Sequence, residues 1–244
     1  MSTPTAIVVA TRNVDLDDAL VGTDARVDRV VPDEVTRDTV DGARVAFAVG
    51  EPALLAVARH HPDTPIAPVA AGVGRYDVSE ESVGAVVDAA SDGDLRTAAH
   101  PLVDIAVGGE HAGTAVADVT LLTASPARIS EFGVAAGDDW RRSVRADGVV
   151  VATPVGSTGY ARDTGGPVLA PETGLVTVPV SAYAMHVRPW VLRPPVSLVV
   201  ERDEADVTLR IDDEEVRPVP PGAAVEITAG ESLSLVTPQQ FPTD

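Results

Sequence analysis

The chain contains no cysteine and no lysine, few aromatic residues and no long apolar run. Each absence removes a class of chemistry. Without cysteine there is no disulfide, no thiolate nucleophile and no thiolate metal site. Without lysine there is no P-loop lysine, no Schiff base and no lysine general base. Aromatics supply only 3% of the residues while hydrophobic residues supply 45%, so the core must be built from Val, Ala, Leu and Ile. No stretch approaches the roughly 20 apolar residues that span a bilayer, and the N-terminus lacks a charged-then-apolar leader pattern. A soluble, cytoplasmic protein with no membrane partner is the expectation. At 244 residues the chain has room for one large domain or two ordinary ones.

Positive charge is scarce as well. There are 37 acidic residues against 18 basic ones, every one of them arginine, for a net charge of -19. A sequence-independent grip on DNA or RNA needs a basic face, so no nucleic-acid partner is expected. The excess acid and missing lysine read as the solvated surface of a halophilic protein, whose self-repulsion is screened by strong salt.

The first part of the chain alternates strand and helix patterns. Residues 6–10, 44–49 and 65–69 read as buried strands. Residues 52–59 read as a short helix with proline in its first turn, and 79–90 as a longer one. In the longer helix Ser79 is placed to cap, Val83, Val86, Val87 and Ala90 share a face, and Gly93 follows the end. Strands alternating with helices predict a small doubly wound α/β domain over 1–95. Beyond it come short β-prone runs at 102–107, 116–123, 128–134, 149–152, 175–180, 196–201, 207–211, 224–228 and 233–237. Turn signals such as Gly108-Gly109, Gly137-Asp138-Asp139, Asp212-Asp213 and Ala229-Gly230 separate them. This spacing predicts an antiparallel β-sandwich domain over 96–244, the chain's end returning to the first domain. A ligand is expected in the crevice between the two.

The most informative stretch is Thr153-Pro154-Val155-Gly156-Ser157-Thr158-Gly159-Tyr160, closed by Gly165-Gly166-Pro167. It follows the apolar run Gly148-Val149-Val150-Val151-Ala152, so a strand delivers a turn rich in glycine and hydroxyls. Glycine lets a backbone approach a ligand closely, and hydroxyls and amides supply directional hydrogen bonds. Such a loop suits the sugar and phosphates of a nucleotide.

These residues resemble the NAD kinase family, which transfers a phosphoryl group to the 2′-hydroxyl of the adenosine ribose of NAD. That family carries D-G, four strand residues, T-P-x-G-S-T-A-Y and then G-G-P. Asp147-Gly148, Thr153-Pro154, Gly156-Ser157-Thr158, Tyr160 and Gly165-Gly166-Pro167 match, with Gly159 in place of alanine. Arg188-Pro189 and the Asp212 turn also fall where the family has an R-P pair and a D-G turn. The α/β-then-β layout agrees with the family fold. By the resemblance, Asp147 contacts the nicotinamide end of the dinucleotide, and Thr158, Gly159 and Tyr160 meet the adenine or its ribose. Asp212 would lie near the ribose, although an Asp-Asp-Glu turn on an acidic surface is equally served by solvation.

Other family motifs are eroded. G-G-D-G-T-L-L becomes Gly50-Glu51-Pro52-Ala53-Leu54-Leu55 after Val49, so Glu51 stands as the candidate general base where the family uses aspartate. Its extra methylene displaces the carboxylate by about 1 Å, a misplacement that can cost roughly a hundredfold in rate. Pro52 removes an amide that would face phosphate. The N-E pair appears as Ala117-Asp118, leaving Asp118 as a weaker nucleotide contact, and an asparagine loop appears as Val69-Ala70-Ala71-Gly72. Asp163 replaces a serine that follows the tyrosine in many relatives, a charge that either repels phosphates or pairs with an arginine such as Arg162.

Two readings follow. One is a pseudoenzyme, a binding protein for NAD, NADP or a related adenine nucleotide with weak or lost phosphoryl transfer. The other is a working kinase using ATP and magnesium with Glu51 as base. A homo-oligomer is implied by the relatives' habit. Glu51 is otherwise read as capping the helix that follows it. The histidines are scattered and show no metal-ligand spacing, so no resident metal is expected.

Overall fold

The structure is a computed structural model and describes residues 6–11, 16–20, 26–60, 62–125, 129–183, 187–203 and 205–237. Contacts divide the chain into two compact units, 1–100 with 232–244, and 101–231.

The first unit opens with β1 (Ala6–Ala10), α1 (Asp17–Leu20), β2 (Val27–Val30) and α2 (Arg37–Asp41). It continues with β3 (Val45–Val49), α3 (Glu51–Ala58), β4 (Ile66–Val69) and α4 (Val83–Asp92). The strands pair in parallel in the order β2-β1-β3-β4, and Leu235 from the chain's last strand pairs in parallel with Ile66. Parallel strands covered on both faces read as unbroken apolar runs, and every residue of β3 and β4 is buried. Side chains alternate between faces: Ala6, Val8, Val45 and Phe47 pack with Val83, Val86, Val87 and Ala90 of α4. The opposite face meets α3, which contacts β1, β3 and β4.

The end of α4 is as expected, with Gly93 in the left-handed region (φ 75°). Its start is not. A 3-10 turn fills 80–82 and the α-helix begins at Val83 with Ser82 at the N-cap, while the Ser79 hydroxyl meets that of Ser82 at 2.9 Å. Ser79 therefore orders the preceding turn instead of capping the helix.

The chain then runs through β5 (Thr97–Val107), β6 (Glu110–Ala115), β7 (Asp118–Thr123), β8 (Ser130–Ala136), β9 (Trp140–Ala146) and β10 (Gly148–Ala152). The one-turn α5 (Tyr160–Asp163), β11 (Leu175–Val180), β12 (Trp190–Leu192), β13 (Val196–Arg202), β14 (Val207–Ile211), β15 (Glu214–Pro218) and β16 (Ala224–Val236) follow. Arg128, where one expected strand begins, lies outside the described residues.

Within the second unit, one layer has β16, β13, β8 and β9 side by side, with β5 pairing β16 and β6 pairing β5. The other layer runs β12-β11-β10-β7-β14-β15. The pairs β10–β11, β7–β10, β13–β16, β8–β13 and β7–β14 are antiparallel. Between the layers lies an apolar core that includes Ile105, Leu121, Phe132, Val149, Leu175, Leu198 and Ile227.

The expected turn at Ala229-Gly230 is absent: 224–236 is one continuous strand. Gly230 serves a different purpose there, since a Cβ would meet the Asp104 carboxylate at 3.0 Å. The glycine makes room for a neighbouring side chain without bending the chain.

Strands β10 and β11 are buried along their whole length. Val149, Val151 and Leu175 face the sandwich core, while Val150, Ala152, Val176, Val178 and Val180 form a second cluster under Ala161 and Leu169. The segment after β10 is thus laid flat against the outside of the sheet, and this fixes the candidate site. Among the described residues no helix is long and apolar enough to cross a membrane.

Candidate functional site

The loop 153–160 is built on the turn between β6 and β7. Thr153 is fully buried; its amide donates to the Ala117 carbonyl at 2.9 Å, and its hydroxyl donates to Val116 at 2.7 Å. The same hydroxyl accepts from the Gly156 amide at 3.3 Å. A Cβ on Gly156 would overlap the Ala117 carbonyl, so only glycine permits this approach. Ser157 is also fully buried, donating to Pro154 at 2.7 Å and accepting from the Leu169 amide at 2.9 Å. Thr158 donates its hydroxyl proton to Val155 at 2.8 Å. The expectation that these hydroxyls point at a ligand is therefore corrected for Thr153 and Ser157: they brace the loop.

Asp212 fixes the other side of the turn. Its carboxylate accepts three backbone amides: Val116 at 3.0 Å, Ala117 at 2.7 Å and Asp118 at 3.0 Å. Its own amide donates to the Asp118 carbonyl at 2.9 Å. Asp212 adopts φ 51°, a left-handed conformation that aspartate tolerates better than most residues. The solvated-turn reading fails for Asp212, though Asp213 and Glu214 beyond it are exposed.

With the frame fixed, Gly159 and Tyr160 are what the loop presents to solvent, Tyr160 being 40% exposed. A Cβ on Gly159 would meet only the Gly156 carbonyl at 3.7 Å, so the position has room that Gly156 lacks. Asp147 precedes β10, held by its amide to Val180 and its carbonyl to Thr123, both at 2.9 Å. Asp118 opens β7 opposite Ala152, and one of its oxygens accepts the Thr120 hydroxyl at 3.1 Å. Burial first, then the charges of Asp118 and Asp147, hold the Tyr160 phenol above its ordinary value of 10.0. The structure therefore brings Asp118, Asp147, Thr158, Gly159, Tyr160 and Asp212 together around one corner of the second unit.

Glu51 lies in the first unit. Gly50 is the N-cap of α3 with φ 85°, and no side chain caps the helix. Glu51 is the first helical residue and is exposed, so the capping role expected of it is not the one it has. Beside it, Pro52 lines a cavity of about 310 Å³ together with Thr11, Val31, Pro32, Asp33 and Glu34. Thr11 follows β1 and Pro52 follows β3. In a sheet of order 2-1-3-4 these positions flank the topological switch point, where open α/β folds hold ligands. Among the described residues the lining carries two carboxylates, two prolines, a valine and no basic group. Ala70, in the loop after β4, takes φ 49°, a left-handed position that asparagine or glycine occupies with less strain. Among the described residues no group of three or more Asp, Glu or His is placed to hold a metal.

Sequence reasoning missed the bracing roles of Asp212 and Gly156. The turn signal at Asp212-Asp213 was visible, but its partners lie 94 to 96 residues away in the chain.

The family model described as ATP-NAD kinase C-terminal domain matches residues 116–237, half of the chain. The NAD kinase of Methanosarcina barkeri is 45% identical over 91 residues, 37% of this chain and 33% of that protein. The NAD kinase of Methanosarcina mazei is 35% identical over 128 residues, 51% of this chain and 44% of its own length. The matched stretches thus span between a third and a half of these curated relatives. Among solved structures, an NAD kinase from Archaeoglobus fulgidus in complex with ATP superimposes with a TM-score of 0.74 at 18% identity, over 96% of this chain and 94% of that one. Yeast NADH kinase complexed with NADH gives 0.75 at 14% identity, over 96% and 84%. These structures share the fold, the family model covers the braced loop, and the chain belongs to the NAD kinase family.

Proposed function

We propose that the corner around Tyr160 binds an adenine nucleotide of the NAD or NADP class, and that the chain transfers phosphoryl groups weakly or not at all. One observation carries the reading: every hydroxyl of the 153–157 stretch is used to hold the loop, and the loop presents an aromatic ring beside two carboxylates. A rigid exposed ring offers a stacking face to a base, and carboxylates accept hydrogen bonds from ribose hydroxyls. Family neighbours bound to NADH and to ATP support a nucleotide as the ligand class.

The weak-transfer half is supported by the first unit. Phosphoryl transfer is positioning plus stabilisation of negative charge. Among the described residues the cavity beside α3 is lined by Asp33 and Glu34 and by no cation, and Pro52 contributes no amide to an incoming phosphate. Magnesium would have to arrive with the nucleotide's own phosphates.

The test is to incubate purified protein with NAD, ATP and magnesium in molar potassium chloride and follow NADP formation. The reading predicts little or no product. Clear turnover that disappears in Glu51→Ala would replace it with the second reading, a working kinase in which Glu51 is the base.

A further inference from the structure

Loop 70–77, between β4 and α4, is closed at its neck. Val78 donates its amide to the Pro68 carbonyl at 2.7 Å and bridges Val69 in parallel. Inside the neck, the Asp77 carboxylate accepts the Ala71 amide at 2.8 Å. Along the next residues φ alternates in sign, from 73° at Gly72 to -92° at Val73 and 62° at Gly74. Such alternation turns successive N–H groups toward one concave side, a nest that takes anions. Among the described residues the Val73 and Gly74 amides donate to no acceptor. A Cβ on Gly72 would meet nothing within 4 Å, so packing does not demand glycine there. Hairpin geometry does not demand it either, because the loop leaves a parallel strand and leads to a helix. Arg75 follows, exposed, and forms no ion pair with any described carboxylate. Next to it Tyr76 is only 4% exposed, and among the described residues its hydroxyl has no hydrogen-bond partner. The Arg75 charge reaches that phenol.

We propose that loop 72–75 is an anion site for a phosphate group, bound by the Val73 and Gly74 amides and the Arg75 guanidinium. The inference stands apart from the nucleotide reading of the Tyr160 corner. Convergent amides and a guanidinium meet phosphate oxygens with charge-assisted hydrogen bonds. The loop follows the carboxyl end of β4, the side of an open parallel sheet on which ligands are held. In a chain of net charge -19, a guanidinium without a carboxylate stands out from its surroundings. Beside it the Tyr76 phenol is a buried donor that lacks an acceptor. Each of these groups calls for negative charge or lone pairs, and none offers them. Free phosphate and the phosphate of a nucleotide share the chemistry that fits.

Amide spectra of the isotope-labelled full chain, titrated with inorganic phosphate in molar potassium chloride, test the claim. The Val73 and Gly74 amides should shift together and saturate at millimolar phosphate. Arg75→Gln, a change at an exposed position that leaves the fold intact, should weaken binding about tenfold. Tyr160→Ala should leave the phosphate affinity unchanged, which separates this site from the nucleotide corner. ATP added to the phosphate-loaded chain distinguishes the two sources. Release of phosphate assigns the site to a nucleotide's phosphate, and retention assigns it to free phosphate. Absence of any shift at Val73 and Gly74, or equal affinity in the parent and Arg75→Gln, would overturn the inference while leaving the nucleotide reading standing.

Discussion

Gly156 backs directly onto the carbonyl of Ala117, leaving no space for a side-chain carbon. This contact seats the 153–160 loop on the β6–β7 turn. Gly156→Ala should therefore destabilise the second unit by about 3 kcal/mol through overpacking. Gly159→Ala, where a Cβ meets only ordinary contact at 3.7 Å, should stay within about 0.5 kcal/mol of the parent. Chemical denaturation of both variants measures the contrast, and equal effects would remove the frame from the account.

Asp212→Asn keeps the shape of the side chain but replaces one acceptor oxygen by an NH2 that faces backbone amides. Three amides now share the Asp212 carboxylate at 2.7 to 3.0 Å. The substitution should cost about 1–3 kcal/mol and loosen the turn that carries Ala117 and Asp118. Hydrogen exchange at the amides of Val116, Ala117 and Asp118 should speed up more than exchange in β13. Unchanged protection there would contradict the clamp.

Thr177 is fully buried in β11, and among the described residues its hydroxyl has no hydrogen-bond partner. Replacing a buried unsatisfied hydroxyl by a methyl of the same shape removes a desolvation cost. Thr177→Val should raise stability by about 1 kcal/mol, read as an upward shift of the thermal midpoint. A fall would mean that the hydroxyl has a partner.

The Tyr160 phenol is held above its ordinary value by burial, then by Asp118 and Asp147. A phenol with a raised folded value contributes stability that is fully present below about pH 10 and is lost as pH rises through the folded value. Asp118→Asn should move the Tyr160 titration down toward 10.0, its ordinary value. Phenolate absorbance followed in a Tyr76→Phe background, which removes the other raised tyrosine, reports the shift. No movement would place Asp118 away from the ring.

The elements that the sequence revealed are those whose neighbours all make the same demand. Residues 6–9 and 175–180 are buried on both faces, so their apolar runs mark the strands. Val83, Val86, Val87 and Ala90 show the helical period because one side alone of α4 meets the sheet. Edge strands escaped notice. Every residue of β15 is exposed, and β9 alternates Trp140, Arg142 and Val144 with Arg141, Ser143 and Arg145, giving little apolar contrast. The loop around Tyr160 was legible from its glycines, but the use of each glycine and hydroxyl was not. Gly156 is set by close approach to Ala117, and Asp212 by amides nearly a hundred residues away, which no local pattern encodes.

Titration of the parent chain and of Tyr160→Ala with NAD in molar potassium chloride bears most directly on the nucleotide site. Saturable binding to the parent is predicted, weakened about tenfold or more in the variant by loss of the stacking face. No binding at millimolar NAD, or equal affinity in the two proteins, would contradict it.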